Sequence, residues 1–114
     1  MSYGPISVFP GTIASGESTL TSIDLSKAWS RVFIEVPSLS TAVVFDVYGS
    51  SDNSTFRPVF SRTNTQVVAY QALTVATTVT NGIAPLDGVG TRYVQLRGSA
   101  TVANGVAIKL ICWD

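Results

Sequence analysis

The stretch VVFDVYGSSDNSTFRPVF, residues 43 to 60, carries the clearest alternation in the chain. Val43, Phe45 and Val47 alternate with Val44, Asp46 and Tyr48, the period-2 pattern that sends successive side chains to opposite faces of a sheet. Gly49-Ser50-Ser51-Asp52-Asn53-Ser54 then supplies residues that tolerate positive φ or bond their own backbone, and Phe56 and Phe60 resume the apolar spacing. Two strands joined by a polar turn are expected.

The same period recurs on both sides. In SRVFIEVP, Val32, Ile34 and Val36 oppose Arg31, Phe33 and Glu35, and Pro37 ends the strand. TRYVQLRG sets Val94 and Leu96 against Tyr93, Gln95 and Arg97. Asn104-Gly105 turns the chain into VAIKLICW, with Val106, Ile108, Leu110 and Cys112 on one face and Ala107, Lys109, Ile111 and Trp113 on the other. Leu20, Ile23 and Leu25 in ESTLTSIDL break strict alternation, which a β-bulge would accommodate. Residues 64 to 80 fit a helical stripe as well as a strand, but a run so rich in β-branched residues favours strand. Asn81-Gly82 and Asp87-Gly88 are turn signals, leaving Ile83 to Leu86 as a short connecting piece.

Residues 1 to 16, with Pro5, Pro10 and three glycines among Tyr3, Ile6, Val8, Phe9 and Ile13, read as an extended N-terminal arm. An apolar arm needs cover, either from its own domain as a docked strand or from a neighbouring subunit. The remainder, 17 to 114, is expected to be a single domain. Seven or eight short strands with no confident helix indicate an all-β, antiparallel β-sandwich, with jelly-roll connectivity as one candidate.

Composition narrows the chemistry. Seven basic residues balance seven acidic ones in 114, so no broad field exists to draw in nucleic acid or an anionic membrane. The charged share of 12% is low, leaving a surface rich in hydroxyl and apolar groups that suits contact with protein. The beginning, Met-Ser-Tyr-Gly-Pro, has neither the basic nor the apolar region of a signal peptide, so synthesis in the cytoplasm is expected. The single cysteine, Cys112, lies in an apolar run and is expected to be a buried, inert thiol.

There is no histidine, so the usual Ser-His-Asp and Cys-His nucleophiles and a structural zinc are not expected. The acidic residues are scattered, and Asp52 and Asp87 sit beside turn residues. No enzymatic activity and no cofactor or metal is expected; calcium held between Asp52 and Asp87 is the one site that loops could assemble. Trp29, Tyr48, Tyr70, Tyr93 and Trp113 serve as core or interface aromatics in the simplest reading and as a sugar-stacking platform in the other. Arg57, Arg62, Arg92 and Arg97 outnumber the lysines, and arginine suits protein interfaces.

FDVYGSSDNSTFRPVF, TRYVQLRG and the ending NGVAIKLICWD together resemble small β-sandwich virion structural proteins of tailed bacteriophages, especially capsid decoration or cement proteins. The resemblance implies a homotrimer on the outer surface of the capsid, bridging subunits of the major capsid protein in the virion. The expected interface residues are Tyr3, Pro5, Ile6, Val8, Phe9, Trp29, Arg57 and Arg62. TRYVQLRG also resembles strands of discoidin-like sandwiches, which implies a carbohydrate- or receptor-binding module of a phage fibre or tail, with Trp29 as its loop aromatic and a glycan as ligand.

Overall fold

Alternate apolar side chains on most of the strands are buried between two antiparallel sheets, and this shared need sets the architecture. The computed structural model describes residues 6–39, 43–62, 70–72, 74–75, 82–86 and 89–114, with only the backbone course given for 61, 62, 70–72, 74 and 75. All of its regular structure is β.

One sheet has the order β1-β11-β3-β9, built from β1 (Ser7–Ile13), β11 (Val106–Trp113), β3 (Arg31–Val36) and β9 (Gly82–Pro85). The facing sheet runs β2 (Thr19–Asp24), β10 (Tyr93–Gly98) and β4 (Phe45–Ser50), and the far edge of β4 is shared by β5 (Arg57–Pro58) and β8 (Thr74–Val75). A separate ribbon pairs β6 (Phe60–Arg62) with β7 (Tyr70–Ala72). Residues 43 to 60 form the expected hairpin, Tyr48 facing Pro58 and Gly49 facing Arg57 across it.

The core between the sheets takes the positions that the alternation singles out: Val32, Ile34 and Val36; Val43, Phe45 and Val47; Val94 and Leu96; Val106, Ile108, Leu110 and Cys112. Leu20, Ile23 and Leu25 join them because β2 carries the bulge: Val94 faces Ile23, but Leu96 faces Leu20, so Gln95 spans both Thr21 and Ser22. The extra residue returns Leu20 to the core side.

One open choice closes and two expectations change. Of the two covers weighed for the extended N-terminal arm at residues 1 to 16, the docked strand is the one formed over Ser7–Ile13: β1 pairs residue by residue with β11, and Ile13 is fully buried. Pro10 fits because β1 is an edge strand with one side unpaired. The connecting piece at Ile83 to Leu86 lies largely in β9, the other edge, where Pro85 is likewise tolerated. Phe60 is exposed, whereas Val59 packs on the core. The long strand read between 64 and 80 falls mostly outside the described residues, as do Tyr3, Pro5 and Asp87.

A candidate interaction face on the β1-β11-β3-β9 sheet

Because strands alternate, every core row has an outward counterpart one residue along. Phe9, Leu110, Ile34 and Ala84 form a row into the core across all four strands of this sheet. The next row, Val8, Ile111, Phe33 and Pro85, crosses the same strands on the outer side and is apolar throughout. A sheet face meant for water usually alternates to polar residues, and this row does not.

The neighbouring positions extend the patch. Trp113, two residues beyond Ile111, stacks on Phe33 with ring centroids 4.8 Å apart and planes 8° from parallel. Among the described residues the exposed large apolar side chains are Ile6, Val8, Phe60 and Ile83, at 65%, 51%, 53% and 58% exposure, and three of these four border or lie on this face. The row Pro10, Lys109, Glu35 and Ile83 closes the opposite side, with the Lys109 ammonium 3.7 Å from the Glu35 carboxylate. Both charged groups are about half exposed, so the pair is solvent-screened and adds little to stability. An open groove of about 600 Å3, lined by Glu35, Val36, Pro37, Gly82, Ile83 and Ala107, continues the patch at the β9 edge.

The outer face of the second sheet is organised differently. The Arg92 guanidinium donates to both oxygens of Asp24 at 2.8 and 2.9 Å. That hydrogen bond, with a backbone N–H from Ser26, holds the Asp24 carboxyl below the ordinary carboxylate range and raises Arg92. The Arg97 guanidinium lies 3.8 Å from the centre of the Tyr48 ring, Arg92 lies 5.1 Å from that of Tyr93, and Arg97 Nε donates to Gln95 Oε1 at 2.7 Å. Gln95 in turn donates to the Thr21 carbonyl at 3.0 Å across the bulge.

The predicted interface residues divide. Ile6 and Val8 belong to the apolar face. Phe9 points the other way, into partial burial against the core, and meets Trp29 at 6.1 Å between ring centroids. Trp29 is a packing residue: its indole N–H donates to the Leu25 carbonyl at 2.6 Å and the Lys27 ammonium sits 4.5 Å over the ring. An aromatic so occupied offers little free surface for a sugar. Arg57 is exposed on β5, on the far edge of the other sheet, and the backbone of Arg62 ends β6.

Phe33, Ile111, Ile83 and Pro85 are the face residues that sequence reasoning missed, whereas Trp113 was among the aromatics read as core or interface residues. The signal was present as the second face of VAIKLICW and SRVFIEVP, but only the pairing of β3 with β11 brings those faces together.

Asp52 closes the β4–β5 turn. It accepts the Thr55 and Ser54 N–H groups at 3.0 and 2.9 Å and the Ser50 hydroxyl at 2.8 Å, and these bonds lower its carboxyl to about 2. All three bonds go to one oxygen, Oδ1, in an arrangement that shapes the turn. No group of three or more metal-ligating side chains occurs among the described residues. Cys112 is buried in the core, and desolvation pushes its thiol up to about 11.

No known protein family and no curated protein matches the sequence. Solved structures do match in shape. The SPBc2 prophage-derived protein YomS aligns over 100% of this chain and 99% of its own at 15% identity, with a TM-score of 0.60. The family 89 glycoside hydrolase CpGH89 from Clostridium perfringens aligns over 96% of this chain at 11% identity and a TM-score of 0.50, but the chain spans only 14% of that enzyme. A chain of the cyanophage Pam1 capsid asymmetric unit aligns at 14% identity over 97% of this chain and 86% of its own, with a TM-score of 0.40. At these identities the likeness is one of fold, and the fold of the chain is an antiparallel β-sandwich.

Proposed function

We propose that the chain is a non-enzymatic virion structural protein, a capsid decoration or cement protein that sits as a homotrimer on the outer capsid surface and bridges subunits of the major capsid protein. The observation that carries this reading is the end-to-end correspondence with a prophage-derived protein of nearly the same extent. Three features support it. A four-strand-wide apolar face is the kind of surface a protein keeps for other protein. Among the described carboxylates, Asp24, Asp52 and Asp114 are taken up by structural bonds to Arg92, to the β4–β5 turn and to Lys27. The strand orders β1-β11-β3-β9 and β2-β10-β4-β5 also support a jelly-roll reading of the wiring, a fold common in viral capsid proteins.

The mechanism is mechanical. Many copies, each burying apolar and hydroxyl-rich surface against capsid subunits, stabilise the assembled shell over its dissociated parts by mass action. Multiple attachment points within one oligomer raise the effective local concentration of the rest.

The second reading is a glycan- or receptor-binding module of a phage fibre or tail. It is supported by the fold likeness to a portion of a glycoside hydrolase and by Tyr48 and Tyr93 on the second sheet, although arginines already lie over both rings.

Virions of the phage that encodes the chain, purified on a density gradient and labelled with an antibody against it, separate the readings. Label over heads, at a fixed ratio to the major capsid protein, is the expected result. Label on fibres or tails would favour the second reading, and absence from washed virions would overturn both.

A further inference from the structure

The chain contains two Asn-Gly pairs, Asn81-Gly82 and Asn104-Gly105, and the fold treats their glycines differently. Gly82 belongs to β9 and faces Val36. The Leu86 N–H donates to the Val32 carbonyl at 2.8 Å, and bonded pairs recur at every second residue of an antiparallel ladder, so Gly82 and Val36 form one and the Gly82 N–H is engaged. Gly105 stands just ahead of β11; it and Asn104 are both exposed, and among the described residues no backbone carbonyl takes its N–H. We propose that Asn104 is a site of spontaneous deamidation, with solvent as the co-reactant.

The reaction runs through the backbone. Hydroxide removes the Gly105 N–H proton, and the nitrogen attacks Cγ of Asn104. The Cγ–Nδ2 bond breaks, and the departing nitrogen takes a proton back from water to leave as ammonia. Water then opens the resulting succinimide at either carbonyl, giving aspartate or isoaspartate. A glycine suits the attacking position because no Cβ shields its nitrogen or restricts its torsions.

The fold leaves slack where this chemistry needs it. The Val102 carbonyl accepts the Gly16 N–H at 2.7 Å, and the Val102 N–H donates to the Glu17 carbonyl at 2.9 Å. The Ser15 hydroxyl donates to the Ala103 carbonyl at 2.6 Å, and on the other side Val106 faces Ile13 in the ladder. Asn104 and Gly105 lie between these anchors. Asn53 shows the closed alternative: its Oδ1 accepts the Ser22 hydroxyl at 2.7 Å, and the next N–H, that of Ser54, donates to Asp52 at 2.9 Å. Either product replaces a neutral amide by a carboxylate in a chain of zero formal net charge. Isoaspartate also adds a backbone atom just before the Ile13–Val106 pair that ends the β1–β11 ladder.

The full-length chain, folded and unfolded in guanidinium chloride, is aged at mildly alkaline pH, digested with trypsin and read by mass. The peptide of residues 98–109 carries Asn104 as its only asparagine, and fragmentation separates Asn64 from Asn81 in residues 63–92. In the folded chain Asn104 should deamidate at least about tenfold faster than Asn81, and the two should converge once unfolded. In Gly105→Ala the new Cβ meets only the Ile13 carbonyl oxygen, at 3.8 Å, so the variant should keep the wild-type urea midpoint. Its Asn104 should react at least about tenfold more slowly. Asn104 no faster than Asn81 in the folded chain, or a Gly105→Ala chain ageing at the wild-type rate, would overturn the inference. A difference that persists after unfolding would overturn it too, because the fold would then not be its cause.

Discussion

The two sheets solve the same problem inward and opposite problems outward. Inward, both supply a row of β-branched and aliphatic side chains, and the requirement that these meet dictates strand register on each. Outward, the β2-β10-β4 sheet covers its aromatic residues itself: Arg97 over Tyr48, Arg92 over Tyr93, with Gln95 and Asp24 holding the two guanidinium groups in place. The β1-β11-β3-β9 sheet leaves its aromatics to each other, Phe33 on Trp113, and surrounds them with Val8, Ile111, Ile83 and Pro85. The first face pairs its aromatics with cations; the second leaves an apolar row open to solvent. Within one small domain the companion sheet acts as an internal control, which makes the apolar face informative.

The sharpest break of the comparison lies between adjacent residues of β11. Leu110→Ala removes a fully buried side chain and should cost about 2–5 kcal/mol in urea denaturation. Ile111→Ala, one residue on and facing out, should cost less than about 1 kcal/mol. Equal losses at the two positions would mean that the alternation of β11 does not separate core from contact face.

A second effect tests how tightly the self-sufficient sheet is built. A Cβ on Gly98 would lie 2.7 Å from the Ser18 carbonyl oxygen, a backbone atom that cannot turn aside. Gly98→Ala should therefore destabilise by about 1–3 kcal/mol in the same assay. Smaller again, Arg97→Ala uncovers Tyr48 and should cost about 0.5–1 kcal/mol, the range of an exposed cation–π contact, with no change in oligomeric mass. A change in mass would move the contact to the wrong sheet.

The least effect is a pH dependence. The folded Asp52 carboxyl titrates at about 2 against an ordinary 3.8, so its charged form contributes stability above 3.8. That contribution fades as pH falls from 3.8 towards 2 and is absent below. Wild type and Asp52→Asn should differ in urea midpoint at pH 6 and converge below pH 2; a constant difference would assign the effect to shape instead of charge.

Much of this was legible in the chain. Period-2 alternation in β3, β4, β10 and β11 named the buried residues individually, because each strand has one face against the core and a slip of one position would expose the whole set. The irregular spacing of Leu20, Ile23 and Leu25 pointed to the bulge in β2. What alternation could not supply was which outer faces adjoin. Ile111 and Phe33 are far apart in sequence and meet only through the pairing of β11 with β3, and Val8 joins them because β1 docks on β11, one of the two covers its sequence left open. Trp29 follows the simpler of its two readings, a packed aromatic, because its indole N–H and one ring face are committed to Leu25 and Lys27.

The central claim, that one outer face is a contact surface and the other is not, can be read in a single footprinting measurement. Hydroxyl-radical labelling of the full-length chain, free and on purified virions, reports Phe33 and Trp113 on one sheet and Tyr48 and Tyr93 on the other. Protection of Phe33 and Trp113 on the virion, with Tyr48 and Tyr93 unchanged, is the predicted result. Protection confined to the tyrosines, or no protection on either face in an associated sample, would contradict it.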